Sequence, residues 1–280
     1  MGLKPRLFSR QSVTTNVSFP LNMEISSVNH KPVVKALLSH GRKMDNWAQP
    51  IDNVKKLRAS AANEFLLGVM LDRGIQAKRA WSAAQWISDS LGDPSNVRAL
   101  WEKLDAMENK RLLGFLRYGY GGFAFHRHYR TFGRQLPEAA RIMLNKYDGD
   151  PRKIWNNKKD VVKVRERLEE IPGIGIALSR MAVLILARNF GLLGGRAAFP
   201  QLDVKPDIHV MRVFKRCGFI GRDDKTSDAI VVARELHPSF PAALDAPAYH
   251  IGSVWCRPTA PNCRECPITL VCPRRFPATS

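Results

Sequence analysis

The sequence lacks long apolar segments and contains few acidic residues. Its longest apolar run covers residues 181–187, far short of the ~20 residues that a membrane-spanning helix requires. It has 25 acidic residues against 44 basic ones, which gives a formal net charge of +19. We therefore expect no membrane association. A positive surplus of this size indicates a polyanion, above all a nucleic acid, as the partner.

Cysteine is also scarce and unevenly placed. Four of the five cysteines lie near the C-terminus, whereas the disulfides of secreted proteins are usually spread through a small domain. This argues against a disulfide framework and favours a reducing compartment. The first 23 residues contain basic residues but no acidic one, and no apolar secretory core. We expect residues 1–28 to form a flexible basic tail.

Alternation of apolar and polar residues, the signature of strands, is nearly absent, and apolar residues recur with helical period almost throughout. This predicts an all-α protein of about ten or more helices. A loop rich in Gly and Pro at residues 191–206 is the best candidate domain boundary. We expect one helical domain at residues 60–195 and a second built from residues 29–59 and 196–280.

A glycine-containing turn, Ile-Pro-Gly-Ile-Gly, separates two helical patterns. Gly173 and Gly175 permit positive φ and leave no Cβ to block a close approach. The helix that begins at Ile176 has free N–H groups and a dipole that favours an anion, so a DNA phosphate suits this turn. An ordinary helix–helix turn is the alternative interpretation.

The four C-terminal cysteines, Cys256, Cys263, Cys266 and Cys272, have the spacing C-x6-C-x2-C-x5-C. Four thiolates this close in sequence suit either a tetrahedral zinc ion or an iron–sulfur cluster. Zinc sites usually show two short Cys pairs, and this run has one. The fifth cysteine, Cys217, falls in an amphipathic helical pattern and is expected to be a core residue.

Three segments together resemble the helix-hairpin-helix DNA glycosylases of the endonuclease III superfamily. They are LEEIPGIG at 168–175, PDIHVMRV at 206–213 and the cysteine run, and the resemblance covers roughly residues 60–274. It implies an all-α, two-domain endonuclease III-like fold, a 4Fe–4S cluster on the four cysteines, and double-stranded DNA as the partner. It also implies that Asp207 is the catalytic carboxylate. An N-cap is the alternative role for Asp207.

The chain departs from the family pattern at two informative positions. Bifunctional members carry a nucleophilic lysine where this chain has Ala177, so the resemblance implies a monofunctional enzyme in which Asp207 activates water. Lys205 is a possible relocated amine, which leaves a bifunctional glycosylase/lyase as an alternative. A non-catalytic DNA-binding protein is another. The glutamate of the adenine-specific members corresponds to Gly68.

A glycosylase must extrude its base and fill the gap in the duplex. Arg73 or Gln76 in one loop and Tyr120 in another stand in family-like positions for this role. We expect a monomer located in the bacterial cytoplasm on the nucleoid, or in the nucleus or an organelle of a eukaryote. The sequence leaves open whether the base is an oxidised pyrimidine, a mismatched thymine or uracil, an alkylated purine or a hypermodified base.

Overall fold

A computed structural model describes residues 29–44, 59–122, 124–156 and 160–275. The predicted tail at residues 1–28 lies outside these ranges. Within these ranges the regular elements are all helices and there is no strand, which confirms the all-α fold class. The helices are α1 (Lys31–Arg42), α2 (Ala59–Leu71), α3 (Ala77–Leu91), α4 (Ala99–Ala106), α5 (Asn109–Tyr118), α6 (Tyr129–Tyr147), α7 (Arg152–Trp155), α8 (Val161–Glu169), α9 (Ile176–Arg188), α10 (Ile208–Arg216), α11 (Thr226–Leu236) and α12 (Asp245–Val254).

The buried apolar side chains form two separate clusters. The first gathers residues of α2 to α9 and includes the fully buried Trp101 and Trp155. The second gathers residues of α1 and α10 to α12. Leu202 belongs to the first cluster and Val204 to the second, and Ala242 later packs back on the first cluster. The two clusters are consistent with the domain division that the sequence predicts, which remains a prediction.

Local capping explains where several helices begin. The segment Asp93-Pro94-Ser95 predicts a helix cap, but α4 begins only at Ala99, because Asp93 holds a turn by accepting hydrogen bonds from the N–H and the hydroxyl of Ser95. The sequence predicts Thr226 or Ser227 as the cap of α11, but the cap is Lys225, whose N–H donates to the Asp228 carboxylate at 2.7 Å. The expected loop at 191–206 contains a short 3-10 helix, Gly195–Gln201.

The carboxylate of Glu64 on α2 has a pKa that burial shifts. Its Oε1 is buried and has no hydrogen-bond partner among the described residues. Burial, with a smaller contribution from the charge of Asp89, raises the pKa of Glu64 from 4.5 to about 7. The folded protein therefore holds an extra proton between these two values, so this group lowers stability as pH rises through that window.

We expect Glu64→Gln to raise the free energy of unfolding by about 1–3 kcal/mol at about pH 8, where the wild-type carboxylate is ionised. At about pH 4 the difference should nearly vanish, because the wild-type group is then protonated in the folded state. Urea unfolding at both pH values measures this. Glu102→Gln, at an exposed salt bridge with Arg98, is the control, and an equal gain at both pH values for Glu64→Gln would contradict the prediction.

Candidate active site and nucleic-acid interface

The predicted hairpin is formed by α8, the turn at residues 170–175, and α9. Gly173 has φ of +92°, a left-handed conformation that favours glycine. A Cβ at this position would lie 2.9 Å from Oε1 of Gln135 on α6. The Ser179 hydroxyl of α9 donates to Oε1 of Glu169 on α8 at 2.5 Å, which fastens the two helices together.

The tip of the hairpin is open. Gly175 is the N-cap of α9, has no side chain to cap the helix, and would meet nothing within 4 Å if it carried a Cβ. The side chain of Ile176 is 52% exposed. The first N–H groups of α9 therefore lie beside open space, which is the arrangement that binds anions at helix N-termini. That Gly173, Gly175 and Ile176 contact DNA remains a prediction.

Asp207 is the N-cap of α10, and its Oδ1 accepts the N–H groups of His209 and Val210, both at 2.9 Å. The side chain is nonetheless only partly buried, and the next residue, Ile208, is 73% exposed. Capping and access to solvent thus coexist at this carboxylate. The structural role that the sequence suggests for Asp207 does not compete with a chemical one.

The first turn of α10 is also tied to the cysteine segment. Nη2 of Arg212 lies 3.0 Å from Nδ1 of His209, and Nε of Arg212 donates to the carbonyl oxygen of Cys256 at 2.5 Å. His209 therefore supports the helix by contacting Arg212 and by packing its ring edge-to-face on Tyr249, 5.2 Å between centroids.

Four charged or polar groups lie at the turn that carries Asp207, and three of them come from distant segments of the chain. The ammonium of Lys205 lies 3.2 Å from Oδ2 of Asp72, which follows the end of α2. The backbone N–H of Lys205 donates to the buried carboxylate of Asp245, the first residue of α12. Tyr249 lies one turn further along α12 and is 36% exposed.

The ionisable groups near Asp207 shift one another's pKa values. Burial, opposed by the hydrogen bond from the Lys205 N–H and reinforced by the charge of Asp207, raises the pKa of Asp245 to about 7. Burial and the nearby carboxylates of Asp207 and Asp72 raise the pKa of Tyr249. Tyr249 therefore keeps its phenolic proton at neutral pH and can donate a hydrogen bond. The only sequence signal for Asp72 is that a carboxylate ends the apolar run of α2.

Asp203, four residues before Asp207, is fully buried among three arginines. Nη1 of Arg165 on α8 donates to its Oδ2, Nε of Arg234 on α11 donates to its Oδ1 at 2.7 Å, and Nε of Arg180 on α9 lies 3.4 Å from Oδ2. The carboxylate thus joins both hairpin helices to a helix of the second cluster. It anchors the segment that carries Lys205 and Asp207.

The three residues predicted to fill the gap in the duplex differ in their surroundings. Arg73 donates to Oε1 of Gln135 at 2.5 Å and lies over the ring of Phe132. Gln76 is exposed and has no capping bond as N-cap of α3. Tyr120 is half-buried, with its ring 5.4 Å from that of Trp86. Gln76 has the freest side chain of the three, and the role of each in base extrusion remains a prediction.

The four cysteines of the C-terminal run, Cys256, Cys263, Cys266 and Cys272, line one mostly apolar cavity of about 120 Å³ and are all half-buried. Among the described residues, no three His, Cys, Asp or Glu side chains converge on a single metal position. The cavity is several times larger than the roughly 30 Å³ of a water molecule. Its size and its four thiols suit a multi-atom cluster.

Two neighbours act on the sulfur atoms of this cavity. Nη1 of the buried Arg216 donates to Sγ of Cys256 at 3.3 Å. A hydrogen bond from the thiol of Cys217, opposed by burial and helped by nearby arginines, lowers the pKa of Cys272 to about 6. Cys217 is itself 1% exposed and belongs to the second apolar cluster, as its helical pattern predicts.

Gly68 packs directly against the indole of Trp81. A Cβ at this position would lie 2.2 Å from the ring, so a larger side chain would require the two helices to move apart. This packing gives a structural reason why the position cannot hold the glutamate of the adenine-specific enzymes.

No helix in the described part of the chain has both the length and the apolar character that a membrane span requires.

Comparisons with known proteins support the resemblance that the motifs indicate. The chain is 26% identical to endonuclease III of Synechocystis sp. over 149 residues, which span 52% of this chain and 57% of that protein. It is 24% identical to endonuclease III of Bacillus subtilis over 148 residues, which span 51% of this chain and 56% of that protein. The matched region thus spans little more than half the length of these relatives. No family model matches the chain.

Solved structures extend the likeness to most of the chain. A non-covalent endonuclease III–DNA complex is 18% identical with a TM-score of 0.61, and the match covers 88% of this chain and 95% of that one. A thermostable thymine-DNA glycosylase is 17% identical with a TM-score of 0.56, over 87% of this chain and 94% of that one. The chain therefore has the all-α fold of endonuclease III.

Proposed function

We propose that this chain, which has the fold of endonuclease III, is a DNA N-glycosylase. It hydrolyses the bond between a damaged, mismatched or modified base and its sugar. The observation that carries the proposal is the partly exposed Asp207 carboxylate, held in place by the N–H groups of His209 and Val210. The neighbouring Lys205 contacts Met181 on the second hairpin helix at 3.2 Å, so the acid and the hairpin share one site.

Asp207 has two tasks in this mechanism. Breaking the N-glycosidic bond develops positive charge on the sugar, and a fixed carboxylate stabilises that charge. The same carboxylate orients water and accepts its proton as the oxygen bonds to the sugar carbon. The product is an intact strand with an abasic site.

We further propose that double-stranded DNA is bound through the hairpin tip and through the net charge of +19. The first N–H groups of α9, at Gly175 and Ile176, would hold one phosphate without reading sequence. The protein would act as a monomer in the compartment that contains the DNA, which is the nucleoid of a bacterium or the nucleus or an organelle of a eukaryote.

A 4Fe–4S cluster is the proposed cofactor, held by Cys256, Cys263, Cys266 and Cys272. It would supply four Fe–S bonds that hold residues 256–272 together. Purified protein should be brown and contain about four iron and four sulfide ions per chain. A colourless protein with one zinc ion per chain would refute this assignment.

A panel of duplexes, each with one altered base, tests the activity. The panel contains uracil and thymine mispaired with guanine, oxidised pyrimidines, alkylated purines such as 7-methylguanine, and hypermodified bases. Released bases are identified by mass spectrometry, and alkali added to a separate aliquot reveals abasic sites. Release of a free base that depends on Asp207 supports the proposal. Tight DNA binding without release of any base would favour the non-catalytic alternative.

One observation favours a second candidate, a bifunctional glycosylase/lyase. The ammonium of Lys205 contacts Met181, which lies one turn along α9 from Ala177, so Lys205 reaches the helix face from which the family's lysine acts. A lyase would form a Schiff base that borohydride traps as a covalent adduct. An adduct that disappears in Lys205→Ala would establish this candidate in place of the water mechanism.

A further inference from the structure

Lys205 and Asp72 form an ion pair inside the site. Their side chains are 17% and 11% exposed, and Nζ lies 3.2 Å from Oδ2. A buried ion pair is weak grounds for stability, because the desolvation of both charges offsets most of their attraction. The pair joins positions 133 residues apart and stands beside the carboxylate that performs the chemistry. Its position calls for a functional explanation.

The backbone places Lys205 and Asp207 side by side. The N–H of Asp207 donates to the carbonyl oxygen of Lys205 at 2.7 Å, which closes a tight turn around Pro206. The N–H of Lys205 is held by the buried Asp245. From this turn the Asp207 carboxylate points to the first N–H groups of α10. The ammonium of Lys205 reaches Asp72 and Met181, on the side of the site formed by α2 and α9.

The ammonium form of Lys205 is the one that the surroundings stabilise. Burial alone would lower the pKa of Lys205, but the charges of Asp72, Asp207 and Asp245 outweigh it, and the net effect is a raised pKa. A protonated amine cannot attack carbon, but it donates three hydrogen bonds. Among the described residues, Asp72 and the sulfur of Met181 account for two of them.

Hydrolysis of the N-glycosidic bond of a neutral base develops negative charge on the departing base as well as positive charge on the sugar. The bond breaks with its electron pair leaving on the base nitrogen, while the oxygen of water bonds to the sugar carbon and its proton passes to Asp207. A neutral base therefore departs as an anion, which later takes a proton from solvent as Asp207 returns its own. A base that already carries a positive charge departs as a neutral molecule and gains nothing from a nearby cation.

We propose that Lys205 is a catalytic residue that stabilises the departing base as an anion, so that the substrates are neutral bases and not cationic alkylated purines. The proposal rests on the proposed glycosylase function. Asp207 and Lys205 together form a fixed pair of opposite charges that matches the charge separation of the transition state. Asp72 is then a positioning residue, which holds the ammonium through the 3.2 Å contact.

The duplex panel supplies the first test. Release of a neutral base without release of 7-methylguanine is the expected result. Release of 7-methylguanine alone would overturn the assignment of Lys205 while leaving the glycosylase function intact. Release of no base by the wild-type protein would overturn the proposed function and this inference with it.

Single-turnover rates supply the second test, on the neutral base that the panel identifies and on a halogenated derivative whose anion is more stable. We expect Lys205→Met to slow release of the parent base by about 10²–10³-fold and release of the halogenated base much less. Lys205→Arg, which keeps the charge, should retain most activity. Lys103→Met, at an exposed lysine on α4, is the control for the loss of one positive charge.

Equal losses on both bases would show that Lys205 is only structural and would overturn the proposal. A borohydride adduct that requires Lys205 would also overturn it, in favour of a lyase. Since Lys205→Met leaves Asp72 unpaired, the double variant Asp72→Asn/Lys205→Met serves if the single variant fails to fold. Like the single variant, the double variant should lose much more activity on the parent base than on the halogenated base.

Discussion

Asp207→Asn should reduce base release by about 10³-fold or more while the fold and the melting temperature remain almost unchanged. Asparagine can neither stabilise positive charge on the sugar nor accept a proton from water. It is, however, as good an N-cap as aspartate, so the bonds from the N–H groups of His209 and Val210 should survive. We expect the free energy of unfolding to change by less than about 0.5 kcal/mol.

The chain offers a matched control for this prediction. Asp160 caps α8 in the same way, accepting the N–H groups of Val162 and Lys163 at 3.0 and 3.1 Å. Asp160→Asn should therefore leave single-turnover rates unchanged. Asp207→Ala separates the two roles, since it should lose the cap, about 1 kcal/mol, as well as the activity. If Asp207→Asn kept more than about a tenth of the wild-type rate, a loss far below the usual range, another group would be activating the water.

Asp203→Asn should destabilise the protein more than any surface substitution, by about 3–5 kcal/mol. The substitution removes the negative charge that three arginines share at a fully buried position. Arg165 and Arg180 are themselves only 11% and 14% exposed, so water cannot replace the lost carboxylate. Urea unfolding followed by circular dichroism measures the effect.

The same substitution should slow base release in whatever fraction remains folded, because Asp203 anchors the segment that carries Lys205 and Asp207. Glu102→Gln is the control, since the exposed Arg98–Glu102 pair should contribute no more than about 0.5 kcal/mol. An unfolding midpoint for Asp203→Asn equal to that of wild type would show that the three arginines are stabilised without this carboxylate.

Much of the fold follows from the sequence because helices are local. The apolar period predicts helices almost throughout the chain, and the regular elements of the described residues are helical, as expected. The predictions that were wrong concern helix ends, because the local backbone geometry determines which residue becomes the N-cap. Asp93 delays the start of α4, and Lys225 rather than Thr226 caps α11.

The candidate site likewise contains residues that the sequence predicts and residues that it does not. Residues within one short segment could be predicted, namely the hairpin glycines, the cap position of Asp207 and the cysteine spacing. Asp72, Asp203, Asp245 and Tyr249 could not, because nothing in their own segments distinguishes them from ordinary surface or cap residues. Each becomes informative only beside partners up to 133 residues away.

The sequence by itself determined an all-α chain with an open anion-binding turn, a capping carboxylate and four closely spaced thiols, since each of these depends on neighbours along the chain. Only the tertiary structure decided that two further carboxylates, Asp72 and Asp245, and the phenol of Tyr249 lie beside the turn that carries Lys205 and Asp207. The reason is physical: the energy of a charge depends on its burial and on the charges nearby. Both are set by which helices pack together.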